Sequence, residues 1–524
     1  MEQIVKIIIA IFWYLFFVKI FLFWLWLWQL KNYHLGRFKA HFEAQKIKKL
    51  MAAWYRVKLP LATKKTIFIA GLWFVLQGAF FWLIFSQSDS AFRLLILLWL
   101  FFLPIITSVF ILIFQIPAWL WQIYMMKKAQ AKRAQFKNLT VIAITGSYGK
   151  TTTKDFLSAM LSEKFSVLAT EKNINAEIGI AQTILHKLKP EHQVLIAEVG
   201  AYQRGKIKQV CAMLQPQIGI LTGINEQHLA TFGSQKNIIK AKFELIEALP
   251  EQGTAILNGD DEKLSISNLP RTVRSAHCNS FGIKQFSKNL QVKSKIFCSS
   301  ETKADFWAED IKIEKEKISF TALSQDGDQA RFAINLIGRQ NIINVLMAAA
   351  VAKTLGLTMA EIALAGQKIR SHSLKQGISG LNILDYTYSA NPSGIIAHLD
   401  YLKTAWPQAR KIIVMPCLIE LGSASKDAHY KIGQAIGQIC DLAIITTQDR
   451  FKELKQGALG AGLAQDKILL LEKSEQILEK IKATTRPGDI ILLESRVPSA
   501  LLALLQDMND RSHNATLKNI NQFL

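Results

Sequence analysis

The stretch VIAITGSYGKTTTKDFL, residues Val141 to Leu157, decides how the rest of the chain is read. The apolar run Val141 to Thr145 predicts a strand, the glycines at 146 and 149 a turn, and Lys150 the start of a helix. At such a turn, backbone N–H groups and the helix N-terminus point together at a ligand and cradle phosphate oxygens. Lys150 is then placed to reach the β- and γ-phosphates of ATP, and the Thr151 hydroxyl to coordinate Mg²⁺. Ser147 and Thr152 complete the expected nucleotide-binding loop. Ile144 stands where the general P-loop pattern has its first glycine, so Gly146 and Gly149 alone bracket the turn.

Downstream, short apolar runs (QVLIAEV, IGILTGI, GTAILN) alternate with amphipathic stretches of helical length, which predicts βαβ units around a parallel sheet. Between about 263 and 335 the pattern becomes alternating and polar, as in KADFWAEDIKIEKEKISFTAL, and predicts a small antiparallel sheet attached to the first. GRQNIINVLMAAAVAKTLG reads as a helix closed by Gly356. A second α/β series begins near Leu381, with strands expected at KIIVMP, DLAIITT, KILLL and DIILLE. GALGAG, Gly457 to Gly462, reads as a loop.

Upstream the texture is different. Apolar stretches near Ile7 to Leu30, Thr66 to Phe85 and Leu94 to Tyr124 are each long enough to cross a hydrocarbon core, which takes about 20 helical residues. The first lacks a small-residue cleavage site and is followed by more apolar segments, so it does not read as a signal peptide. Lys19 inside it costs roughly 2.5–3.5 kcal/mol at mid-bilayer unless it snorkels or faces another helix. Pro104 and Pro117 predict a kink or a short interfacial continuation. Residues 31–65 carry ten Lys and Arg against one acid, and residues 127–137 five against none. The positive-inside rule therefore places both clusters in the cytoplasm and the N-terminus outside. The expected organisation is a membrane anchor over 1–137, a nucleotide-binding α/β domain over 138–372 and a smaller Rossmann-like α/β domain over 373–524.

The formal charge of +23 is not spread evenly. Residues 1–137 hold 18 Lys and Arg against three acids, and the remaining 387 residues carry only +8. A basic excess beside apolar segments speaks for anionic lipid headgroups, at about 1 kcal/mol per cation near the surface, and against nucleic acid. The five cysteines (Cys211, Cys278, Cys298, Cys417, Cys440) are odd in number and contain no CxxC pair, so neither a disulfide framework nor a zinc site follows.

TGSYGKTTT after a strand resembles the phosphate loop of the Mur ligases of peptidoglycan synthesis, and further stretches in the same order support the match, closest to the MurF branch. NINAEIG resembles the NxNNEIG segment of that family, with Asn173 and Asn175 in place and Ala176 replacing one Asn. AEVGAY supplies Glu198, GINEQHLATFGS supplies His228, and IIKAKFELIEAL supplies Lys242 and Glu244. ILNGDDE (Asn258, Asp260, Asp261), GRQNIIN (Asn341, Asn344), LDYTYSANP (Asp385, Tyr388, Asn391) and IELGSASKDAH (Glu420, Gly422, His429) follow. The resemblance covers about 140–500 and implies an ATP-dependent amide ligase working through an acyl phosphate. It implies a first Mg²⁺ site at Thr151 and Glu198 and a second at His228 and a carbamylated lysine, for which Lys242 is the matching position. Lys150, His228 and Lys242 are thus the expected catalytic residues. Asn258, Asn341, Asn344, Asp385 and Tyr388 are expected around the nucleotide, and Asn173 and Asn175 on the substrate.

The match also breaks in places. Membrane helices stand where MurF enzymes carry a domain that grips the uridine end of their substrate. Gln340 replaces the usual His. The DD pair of the family is Asp385-Tyr386 here, its GDM is Pro416-Cys417-Leu418, and its KGS is Leu493-Glu494-Ser495. Arg370 is the nearest candidate for the arginine expected before LDYTYSANP. The acceptor is therefore expected to be a cell-wall peptide precursor, UDP-linked or lipid-linked, and the amine D-alanyl-D-alanine, a related dipeptide or an amino acid. Two other readings stand beside this one. One is a membrane-attached ligase of another acid, similar to poly-γ-glutamate synthases. The other is a nucleotide-binding scaffold without catalysis.

Overall fold

A computed structural model describes residues 2–30, 33, 38, 59–85, 89–171, 174–261, 292, 294–369, 374–376, 381–387, 391–498 and 500–502. The chain divides into two compact units, Met1–Met125 and Met126–Leu524.

The first unit is helical. Helices Glu2–Leu30, Lys64–Phe85 and Asp89–Ile113 pack around Phe17, Phe21, Leu25, Trp28, Trp73, Leu103 and Ile111. The Phe21 and Trp73 rings stack with centroids 5.2 Å apart. Trp28 Nε1 donates to Ser108 Oγ at 3.0 Å and the half-buried Trp99 Nε1 to Gln77 Oε1 at 3.1 Å, whereas Trp73 Nε1 is buried with no hydrogen-bond partner among the described residues. Phe12, Trp82 and Phe101 lie more than two-thirds exposed on the outside. Among the described residues, Lys64–Leu83 and Phe101–Ala134 are long and apolar enough to cross a bilayer, and Tyr14–Leu30 is a shorter apolar run. The break expected near Pro117 falls at Phe114–Gln115, and Pro117 sits in the first turn of helix Ile116–Ala134, where its missing N–H is harmless.

The last turns of that helix belong to the second unit and dock on it. Gln130 donates to Ala212 O at 3.0 Å, Lys132 to Leu185 O at 2.9 Å and Arg133 to Gln215 O at 3.3 Å. These carbonyls lie at the ends of helices Lys206–Leu214 and Glu177–Lys187, where orphan C=O groups and the helix dipole favour cations. Two of the five cations in 127–137 are thus spent on capping: Lys132 and Arg133 serve protein carbonyls.

The second unit holds two sheets. The first is built from β1 (Thr140–Thr145), β2 (Val167–Ala169), β3 (Val194–Glu198), β4 (Ile218–Leu221), β5 (Thr254–Asn258), β6 (Ser294–Ser299), β7 (Phe306–Ile313), β8 (Ile318–Ser324) and β9 (Gln329–Ile334), in the order β2-β3-β1-β4-β5-β6-β7-β8-β9. Strands β2 to β7 run parallel, while β8 and β9 add antiparallel pairs that continue the same sheet. Strand β1 is buried on both faces. Ile142 and Ile144 pack with Leu157, Met160, Val345 and Met347 on one side, and Val141 and Ala143 with Ile180, Val210 and Ile246 on the other. Because β1 lies between β3 and β4, the chain reverses across it, and the carboxyl ends of these strands open the crevice where doubly wound sheets bind ligands.

The second sheet comprises β10 (Leu374–Gln376), β11 (Asn382–Tyr386), β12 (Lys411–Met415), β13 (Leu442–Ile445), β14 (Ile468–Leu470) and β15 (Ile490–Glu494), in the order β10-β11-β15-β12-β13-β14, parallel except for β10. GALGAG is not a loop as expected. Its first four residues end helix Phe451–Gly460, and a Cβ on Gly457 would stand 2.1 Å from Tyr430 O of helix Ser425–Ile439. The glycine is there to let two helices approach. The four described cysteines are buried and free.

Candidate active site

One cleft of about 1680 Å³ opens at the carboxyl ends of β1, β3 and β4 and faces the second sheet. Its floor is the turn after β1. Gly149 has φ 76°, the left-handed conformation that glycine adopts without strain, and a Cβ there would meet Asn344 Oδ1 at 2.6 Å. A Cβ on Gly146 would stand 2.0 Å from Thr222 Oγ1. Lys150 opens helix Lys150–Leu161, and its ammonium donates to Gly146 O at 2.8 Å. Burial lowers the Lys150 pKa, and Glu198 opposes the shift.

Glu198 ends β3 and is 2 % exposed. Thr151 Oγ1 donates to its Oε2 at 2.7 Å, and Asn175 Nδ2 to its Oε1 at 3.0 Å. His228 follows β4 with φ 63°, an unusual conformation for a residue with a side chain, which costs about 1–2 kcal/mol. Its Nδ1 lies 2.7 Å from Glu420 Oε2, and the Tyr202 ring meets it edge-on at 4.5 Å. Burial lowers the His228 pKa against the pull of Glu420. Lys242, on helix Gln235–Glu247, is 4 % exposed; burial and the nearby Lys150 push its pKa down to about 7.

The cleft therefore brings together most of the residues singled out from sequence: Gly146, Ser147, Gly149, Lys150, Thr151, Thr152, Asn175, Glu198, His228, Lys242, Asn258, Asn341, Asn344 and Asp385 all line it. Asn173, Tyr388 and Arg370 lie outside the described residues. Several of the liners also carry structure. Asn258 Nδ2 donates to Thr222 O at 2.7 Å, and Asn344 Oδ1 accepts from Thr153 Oγ1 at 3.2 Å, tying the phosphate-loop helix to helix Gln340–Thr354. Asp385 accepts from the Thr387 N–H and hydroxyl at 3.1 and 2.7 Å.

Other motif residues make structural contacts. Glu244 accepts from Gly205 N at 2.6 Å and Lys208 N at 3.0 Å, capping helix Lys206–Leu214. His429 is fully buried; its Nδ1 donates to Ser425 O and its Nε2 accepts from Leu418 N. Asn391 caps helix Pro392–Ala405 through Gly394 N at 2.8 Å and also accepts from Asn225 Nδ2 at 3.1 Å, across the two sheets.

Sequence reasoning gave no role to Tyr148, Tyr202 or Asn225. Tyr148 donates to Asp261 Oδ2 at 2.8 Å, and its phenol pKa is raised by burial and that carboxylate. Two departures from the Mur pattern prove to be one packed unit. The Tyr386 ring stacks on His398 with centroids 3.5 Å apart, and His398 Nδ1 lies 2.5 Å from Glu494 Oε1. Glu494 is wholly buried, which raises its pKa.

The donor set suits a magnesium nucleotide. Ser147 Oγ is buried and has no hydrogen-bond partner among the described residues, the glycine floor has no room for a Cβ, and the hydroxyl and carboxylate oxygens at Thr151 and Glu198 are the hard donors Mg²⁺ prefers.

Comparison with known proteins agrees. A profile described as "Mur ligase middle domain" matches residues 144–352, and one described as "Mur ligase, glutamate ligase domain" matches residues 370–496. The UDP-N-acetylmuramoyl-tripeptide--D-alanyl-D-alanine ligase of Bacillus subtilis is 26 % identical over 381 residues, 70 % of this chain and 75 % of that protein. The Escherichia coli protein of the same name is 31 % identical over 300 residues, 56 % of this chain and 61 % of its own length. In fold the chain is similar to MurF from Acinetobacter baumannii, with TM-score 0.62 and 24 % identity over 74 % of this chain and 80 % of that one. It is similar as well to a MurF ligase from Thermotoga maritima in complex with ADP, with TM-score 0.61 and 22 % identity over 75 % of this chain and 84 % of that one.

Proposed function

The chain carries the middle and glutamate-ligase domains of the Mur ligases and belongs to that family of ATP-dependent carbon–nitrogen ligases, and we propose that it joins D-alanyl-D-alanine or a related amine to a cell-wall peptide precursor at the membrane.

One observation carries the reading. Lys150 with Thr151, Glu198, His228 and Lys242 come from four separate segments around the first sheet yet line one cleft with Asp385 of the second. An amide cannot form from a carboxylate until the acid is activated, and ATP supplies the phosphoryl group that turns it into an acyl phosphate. Lys150 neutralises charge that develops on the phosphate oxygens, and the preorganised loop costs no rearrangement as it does so. Thr151 and Glu198 would hold one Mg²⁺; His228 and a carbamate on Lys242 would hold a second. Asn175, bonded to Glu198, holds that carboxylate in place and borders the acceptor. The second sheet presents Asp385 to the nucleotide. The Tyr386–His398–Glu494 unit packs where this chain departs from the family pattern.

The membrane assignment rests on the apolar surface of the first unit, its two spans of sufficient length, and the basic stretch of sequence 31–65. We place the ligase domains on the cytoplasmic side. Tethering near the bilayer raises the effective concentration of anything anchored there, so the acceptor proposed is lipid-linked. Specificity constants for lipid-linked and UDP-linked peptide, measured with the full chain in lipid, test this. Preference for the lipid-linked form is the expected result, and a clear preference for the UDP-linked peptide would overturn it.

A further inference from the structure

We infer that Glu420, contributed by the second sheet's domain, is the positioning residue that sets the ring of His228 for the reaction; the inference rests on the ligase reading above. Three contacts converge on this point. His228 Nδ1 lies 2.7 Å from Glu420 Oε2, the Ala230 N–H donates to Glu420 O at 3.1 Å, and a Cβ on Gly422 would stand 3.2 Å from Ala230 N. Both partners hold the left-handed backbone conformation, His228 at φ 63° and Glu420 at φ 65°. Two residues with side chains in that conformation, facing each other across two domains and joined by a main-chain and a side-chain bond, form a built contact rather than a chance meeting of loops.

The chemistry of the pair gives it a purpose. A carboxylate only accepts, so Nδ1 carries the ring proton, and in the neutral ring Nε2 presents its lone pair to the cleft that His228 lines. Tyr202 packs edge-on against the same ring and limits its rotation. Histidines that bind a metal are commonly set in this way, the distal N–H held by a carboxylate, and loss of that carboxylate costs about 10–100-fold in metal affinity or activity. Here the carboxylate arrives from the other domain. His228 is therefore competent only when the two domains are together, which ties the chemistry to closure over bound substrates.

The test uses the full chain in lipid with Glu420→Ala, Glu420→Gln and Glu420→Asp. Steady-state phosphate release gives kcat, the KM for ATP and the Mg²⁺ midpoint, and hydrogen–deuterium exchange follows residues 228–236 without nucleotide. For Glu420→Ala the expected result is kcat lower by about 10–100-fold, an unchanged KM for ATP, a higher Mg²⁺ midpoint, and faster exchange across 228–232. Glu420→Gln should recover part of kcat, because an amide oxygen still accepts from Nδ1–H. Wild-type kcat and Mg²⁺ midpoint in Glu420→Ala overturn the inference. So does a raised KM for ATP at full kcat, which assigns the contact to closure alone, and so does unchanged exchange at 228–232. A wild-type chain that turns over no ATP with acid and amine present defeats the ligase reading instead, and the exchange measurement still reports on the pair.

Discussion

Thr151 Oγ1 and Glu198 Oε2 lie 2.7 Å apart, one at the start of a helix after β1 and the other at the end of β3. Two oxygens that suit a hard divalent cation are thus brought together by strand order, β1 pairing with β3 along its length. Glu198→Gln keeps the shape and removes the charge. Turnover should fall roughly 100-fold or more, since a bound cation supplies several kcal/mol of charge stabilisation. ATP binding measured without Mg²⁺ should not change. Calorimetry with and without the metal, beside the rate, checks both halves.

Lys242 is buried, and its pKa of about 7 leaves much of it as a neutral amine near neutral pH, the form that can take up CO₂ as a carbamate. Lys242→Ala should lose most activity and regain some with short-chain carboxylic acids, which replace the missing oxygen pair. Lys150→Ala should show no such rescue. A fully active Lys242→Ala protein removes the carbamate from the account.

Glu244 sits in the same segment as Lys242, yet its two oxygens cap helix Lys206–Leu214 at Gly205 and Lys208. Glu244→Ala should therefore act on stability, by about 1 kcal/mol as for other lost caps. The melting temperature should drop by roughly 2–4 °C, as thermal unfolding with nucleotide absent will show.

From the charge asymmetry of 31–65 we propose that residues 86–88 face the outside of the cell. A single cysteine at Ser88 should react with an impermeant maleimide on intact cells. Reaction only after permeabilisation reverses the topology.

What was legible in the sequence is what is local. The phosphate loop is one strand, one turn and one helix start, and its glycines are dictated by neighbours a few ångströms away, so seventeen consecutive letters carry it. Glu198 was legible because AEVGAY resembles a motif of the family and puts the carboxylate at the end of a strand. Glu420 had its motif but no role, since its partner His228 is 192 residues away and belongs to the other sheet's domain. His429 shows the opposite error of motif reading: a histidine in a family stretch whose ring nitrogens are both satisfied inside the core. In GALGAG glycine suggests turn chemistry from the letters alone, whereas Gly457 answers to close packing against Tyr430.

The central claim is that this cleft joins an acid to an amine at the expense of ATP. The most direct measurement follows phosphate release and product mass together, using the full chain in lipid with Mg²⁺-ATP, a cell-wall peptide precursor and D-alanyl-D-alanine. The account predicts one phosphate released per product, a product mass equal to acid plus amine less one water, no reaction when either substrate is left out, and none from Lys150→Ala. Phosphate released at the full rate without the amine or the acid, with no product of that mass, contradicts it.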